Sequence, residues 1–100
     1  LMLAGINGKK TELFTSDVTG SYFSYKANAI GENDEKIREK LREKYQDNLN
    51  IKKGVKLTLD IFKEIQEKKF DITKFELIYI DKEEGKLKRI EGKTIGEFVK

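Results

Sequence analysis

The apolar residues of this chain change their spacing at Gly31. Before it they stand in short runs or alternate with polar residues, which is the period of a strand. After it they recur three and four positions apart, the period of a helix, before a second strand-like run at "FELIYI". That order requires hairpin-linked strands first, a helix pair next and a closing hairpin last.

Residues 1–6, Leu-Met-Leu-Ala-Gly-Ile, are apolar throughout and read as a strand buried on both faces. Asn7-Gly8 is a hairpin signal, because both residue types tolerate positive φ. A second strand is expected over about Thr11–Ser16, and Asp17-Val18-Thr19-Gly20 reads as the next turn. The third strand is expected from Ser21 to Ile30. Its alternation puts Tyr22, Ser24 and Lys26 on one face and Phe23, Tyr25, Ala27 and Ala29 on the other. Gly31 ends it.

Asn33 or Asp34 is the expected cap of a first helix, with Glu35 adding negative charge at its positive end. Ile37, Leu41 and Tyr45 give that helix a narrow apolar stripe, so it is expected on the outside. Asn50 is the expected cap of a second helix over Ile51–Lys68. There Ile51, Val55, Leu59 and Phe62 form one stripe and Leu57, Ile61 and Ile65 another. So wide an apolar arc must be covered on more than one side. Phe75–Ile80 reads as the fourth strand, Glu83-Glu84-Gly85 as a turn, and Lys86–Ile90 as the fifth strand. Thr94 and Glu97 have capping-box spacing for a short terminal helix. The fold class is α+β, with order β-β-β-α-α-β-β-α and antiparallel sheets. Because the first residues already read as a buried strand, residues 1–100 are expected to form the C-terminal half of a larger domain whose N-terminal half is absent.

Composition removes several chemistries. With no Cys and no His there are no disulfides, no thiolate nucleophile, no Cys/His zinc site and no histidine base. No cofactor or metal is expected. The 21 basic residues are interleaved with 18 acidic ones, for a net charge of +3, which argues against nucleic-acid binding. There is no long apolar run for a membrane span and no signal-peptide pattern, so a cytoplasmic location is expected. Asp81, Glu83 and Glu84 read as a charged hairpin turn rather than a metal site. Tyr22, Phe23 and Tyr25 read as sheet-to-helix packing. Lys26 reads as a salt-bridge partner at a subunit contact, and Thr15 and Thr19 have no base near them in sequence.

The stretch "LFTSDVTGSYFSYKANAIG", Leu13 to Gly31, resembles a segment of proteasome α subunits that reads approximately Leu-Tyr-x-Thr-Asp-Pro-Ser-Gly and then Tyr-Lys-Ala-x-Ala-Ile-Gly. Thr15, Asp17, Gly20, Tyr25, Lys26, Ala27, Ala29, Ile30 and Gly31 sit at matching spacing. Val18-Thr19 stands where the family has Pro-Ser. Arg42–Phe62 is similar to the family's helix pair, and Phe75–Ile90 to its final hairpin.

The resemblance implies half of an N-terminal-nucleophile hydrolase fold, an αββα sandwich. It implies a non-catalytic, ring-forming α subunit of the 20S core, part of a threonine-type protease complex for ubiquitin-independent or ubiquitin-dependent protein degradation. Partners implied are other α subunits, β subunits, an ATPase activator, and the absent half in cis or in trans. Nucleic acid and membrane are not among them. The outer helix bearing Arg38, Arg42 and Glu43 is expected to face solvent or a ring neighbour. No catalytic residue is assigned. The motif residues Asp17, Gly20, Tyr25, Lys26, Ala27, Ala29, Ile30 and Gly31 are given structural roles, with Ile30 in the core and Gly31 turning the chain into the helix. Catalytic β subunits tend to carry Gly-Ser-Gly where this chain has Ala29-Ile30-Gly31. They also carry an Arg-Asp-x-x-Ser-Gly whose Asp and Ser positions fall on Lys68 and Asp71. A diverged β-type threonine protease and a free-standing assembly module are the alternatives.

Overall fold

A computed structural model describes residues 2–7, 10–16 and 22–100. The turn at Asp17, Val18, Thr19 and Gly20, and Gly8 of the first hairpin, lie outside the described residues. The described residues form two small antiparallel sheets, three α-helices and two 3₁₀ turns.

The first sheet has the order β1 (Met2–Asn7), β2 (Lys10–Ser16), β3 (Tyr22–Ser24). β1 and β2 pair from Met2↔Thr15 to Asn7↔Lys10, and β2 and β3 from Phe14↔Ser24 to Ser16↔Tyr22. Strand β1 is not buried on both faces, since Leu3 is 52% exposed. The third strand is three residues long and stops far short of Ile30. Tyr25 N–H still donates to the Leu13 carbonyl at 2.9 Å. Continuing that register would set Lys26, Ala27 and Asn28 opposite Glu12, Thr11 and Lys10 of β2, yet the chain leaves the sheet. Away from the sheet the segment is held by other contacts: Arg38 donates to the Ala29 carbonyl at 2.9 Å and the Lys26 ammonium to Asp47 at 3.0 Å. Gly31, at φ 103, then turns the chain toward the first helix in a conformation that favours glycine.

Helix α1 spans Asp34–Lys44 and α2 spans Ile51–Gln66. Asn33 stands at the start of α1 without capping it. At φ 62 it is left-handed, whereas a capping side chain needs extended backbone. Asp34 and Glu35 in the first turn and Arg42 and Lys44 in the last still complement the helix dipole. Asn50 does cap α2, accepting from Lys53 N–H at 2.8 Å. That helix ends two residues early, at Gln66, because Glu67 takes φ 52 and starts a 3₁₀ turn over Glu67–Lys69.

A second 3₁₀ turn, Ile72–Lys74, leads to β4 (Glu76–Ile80), which pairs with β5 (Leu87–Glu91) from Glu76↔Glu91 to Ile80↔Leu87. Helix α3, Lys93–Phe98, begins after Gly92 rather than at a Thr94 capping box. Gly92 N–H bonds to the Phe75 carbonyl at 3.1 Å and its own carbonyl accepts from Ile95. The helix is thereby started before Thr94, which lies inside it.

The core sits here. Val55 and Leu59 of α2 meet Ile95 of α3, which is 2% exposed, with Phe75, Leu77 and Ile90 of the hairpin region packed around them. Phe75 makes an edge-on contact with Phe62 at 5.0 Å. The other apolar stripe of α2 holds Ile61, 1% exposed, on the side that faces α1. One turn on from it, Glu64 pairs with Lys40 at 3.2 Å and with Lys44. Helix α2 is therefore covered on two sides, as its wide apolar arc demands. Ile37 is the buried residue of α1.

Candidate functional site

The segment that leaves the first sheet lies against α1. Between them is an open cleft of about 330 Å³, lined by Tyr25, Lys26, Asn28, Arg38, Arg42 and Tyr45 among others. Residues 38, 42 and 45 of α1 and its end share one helix face, one turn apart, so a single stripe supplies the wall.

The three cations of the cleft are held differently. Arg38 is part-buried. It donates to the Ala29 carbonyl at 2.9 Å and pairs with Asp34 at 3.3 Å, so it pins the departing segment to the helix. Lys26 bonds to Asp47 at 3.0 Å across the cleft's rim, with both side chains largely exposed. That hydrogen bond, and then the Asp47 charge, raise the Lys26 pKa above its ordinary value. Arg42 is exposed and has no hydrogen-bonded or ion-paired partner among the described residues.

Of the motif residues, Tyr25, Lys26 and Ala27 line the cleft; Ala29 gives its carbonyl to Arg38. Gly31 lies at the turn before the helix. Asp17 and Gly20 lie outside the described residues. Ile30, expected in the core, is 55% exposed in this chain. The segment is anchored by Arg38 and Lys26, and neither anchor turns Ile30 inward. Lys26 pairs with Asp47 of its own chain. Arg38 and Arg42, expected from sequence to face solvent or a ring neighbour on the outer helix, line this cleft.

Elsewhere the polar groups have structural work. Asp71 accepts from Thr73 Oγ1 at 2.6 Å and Thr73 N–H at 3.0 Å, which caps the 3₁₀ turn after it and lowers its pKa, the hydroxyl contributing most. Lys68 is exposed on the preceding 3₁₀ turn. Asp81 accepts from Glu83 N–H at 2.9 Å and Glu84 pairs with Lys88 at 2.8 Å, so the acidic stretch shapes the hairpin turn. Among the described residues no group of three or more acidic side chains could hold a metal ion. No helix among them is long and apolar enough to cross a membrane.

The proteasome subunit family model matches residues 1–80. Proteasome subunit alpha of Methanosarcina thermophila is 29% identical over 99 residues, 99% of this chain and 40% of that protein. Proteasome subunit alpha type-5 of Caenorhabditis elegans is 31% identical over 100 residues, 100% of this chain and 39% of that protein. The alpha type-5 subunit of Dictyostelium discoideum is 36% identical over 88 residues, 88% of this chain and 36% of that protein. The chain therefore spans about 40% of the length of the curated relatives it matches.

Proposed function

This chain belongs to the proteasome subunit family, and on that premise we propose that it acts as a non-catalytic α-type subunit of a cytoplasmic 20S core. It helps to form the ring through which substrates reach the protease chamber. The observation that carries this reading is the α-subunit likeness running along the whole chain. The residue chemistry supports it. Lys68 and Asp71 stand where catalytic relatives are expected to carry Asp and Ser, and Asp71 is engaged in capping a turn. Ile30 has no side-chain hydrogen-bonding group to offer.

In this reading the two sheets are part of an αββα sandwich in the order β-β-β-α-α-β-β-α. An N-terminal half, in cis or in trans, completes it. The exposed Leu3 of β1, and the exposed Ile78 and Leu87 of the closing hairpin, are surfaces that such a completion would cover. Its partners are other α subunits, β subunits and an ATPase activator.

The test is the native mass of the purified protein, set beside the mass of its denatured chain. A large particle with peptidase activity assignable to other subunits is expected. A stable monomer or dimer of the 11.6 kDa chain would overturn the ring function and leave a free-standing module. Peptidase activity from the isolated chain would revive the enzymatic alternative.

A further inference from the structure

We propose that the cleft between residues 25–28 and helix α1 receives an acidic side chain of a neighbouring subunit, with Arg42 as the residue that holds it. This rests on the reading of the chain as an assembling α-type subunit.

Charge complementarity points to the occupant. Arg38 and Lys26 have acidic partners in their own chain, and Arg42 has none among the described residues. A guanidinium presents a planar fork of donors that matches a carboxylate in two parallel hydrogen bonds. Tyr25 and Tyr45 stand beside it in the same cleft, and Leu41 adds an apolar floor. Tyrosine and arginine around a small apolar contact are the composition of interface hot spots, where water is excluded and a charged pair gains strength. A volume of about 330 Å³ open to solvent suits a side chain inserted from a neighbouring surface. A nucleic-acid backbone would need a basic stripe. Here the cations are few, and two already hold acids of this chain.

The Arg38–Ala29 bond and the Lys26–Asp47 pair set the two walls before any partner arrives. They are positioning residues, and Arg42 is the contact.

The experiment compares the wild-type protein with Arg42→Lys and Arg42→Glu in the native particle of the preceding section. Incorporation is measured by native mass, and folding is checked by thermal unfolding of each variant. Arg42→Glu is expected to fold normally and to weaken incorporation about ten-fold or more, with Arg42→Lys intermediate. Because the chain has no cysteine, Arg42→Cys offers a second, independent readout. With a maleimide–hydrazide linker attached to that thiol, carbodiimide activates nearby carboxylates, and the hydrazide should capture an Asp or Glu of an adjoining subunit as an acyl hydrazide with release of the urea. Equal incorporation of wild type and Arg42→Glu overturns the proposal while leaving the α-subunit reading intact. So does capture confined to carboxylates of the same chain. If wild type itself enters no particle, the α-subunit reading fails first, and the mass shows that before any variant is made.

Discussion

The first sheet and the region from α2 to α3 are both rich in apolar residues, yet among the described side chains only the second region buries any of them fully. In β1 and β2 no described residue is buried, and Leu3 is half exposed. Between Ile51 and Val99, Val55, Leu59, Ile61 and Ile95 are buried, and Phe70, Phe75 and Phe98 are among the residues packed against Val55, Leu59 and Ile95. A strand pair satisfies its backbone without burying its side chains; a helix stripe needs a second surface. The C-terminal region supplies that surface from its own residues. The sheet does not obtain it from the described residues.

The sharpest way to break this contrast is a matched pair of truncations. Leu59→Ala should cost about 3 kcal/mol of unfolding free energy, since it empties a packed site. Leu3→Ala should cost about 0.5 kcal/mol or less. Urea unfolding measures both, and equal losses would show that the sheet is as tightly covered as the core. A smaller effect comes from Asn50→Ala. Loss of the cap that receives Lys53 N–H should cost about 1 kcal/mol, seen as a lower thermal midpoint. On the seam between the two regions, Arg38→Met removes the clamp on the Ala29 carbonyl. It should cost about 1 kcal/mol and speed amide exchange around residues 25–30 while leaving α2 protected. Uniform acceleration over the whole chain would mean that the regions unfold together.

The smallest effect is electrostatic. Hydrogen bonds from Lys44 and then Lys40 lower the Glu64 pKa. A depressed carboxyl pKa stabilises the fold above the unfolded value, and that contribution disappears as pH falls through the folded one. Glu64→Gln should therefore lower stability slightly near neutrality and leave it unchanged at acid pH, where Glu64 is protonated anyway, so that the acid limb flattens. An unchanged limb would show that the α1–α2 ion pairs are not felt in solution.

Legibility in the sequence followed the same division. Two-sided coverage of α2 could be read from Val55, Leu59 and Ile61, and the Asn50 cap from its position before an apolar run. Those features depend on spacing, which a helix preserves. The length of β3 could not be read in this way. From Tyr25 to Ile30 the alternation continues, but Arg38 and Asp47 hold the segment, through Ala29 and Lys26, from a distance in sequence that periodicity does not register. Thr94 and Asn33 misled for a related reason. Capping depends on backbone angles, and here Gly92 and the left-handed Asn33 decide them. At the site, the motif drew attention to Lys26, and the outer helix to Arg38 and Arg42. That Arg38 is paired and Arg42 is not depends on Asp34 and Ala29, and became visible only once the ion pairs were laid out.

The clamp at Ala29 has a mechanical meaning as well. A chain drawn from its first residues would peel β1 from β2 and then β3, one rung at a time, because hairpins yield by unzipping. The tug would next meet Arg38 and the Lys26–Asp47 clasp. Force would then enter α1 sideways, where the Lys40, Lys44 and Glu64 ties stand between it and the packed helix beyond. Drawn from Lys100, the same chain would surrender α3, and Ile95 with it, at the outset. The direction of pulling thus decides whether the strongest part of the molecule is dismantled last or first.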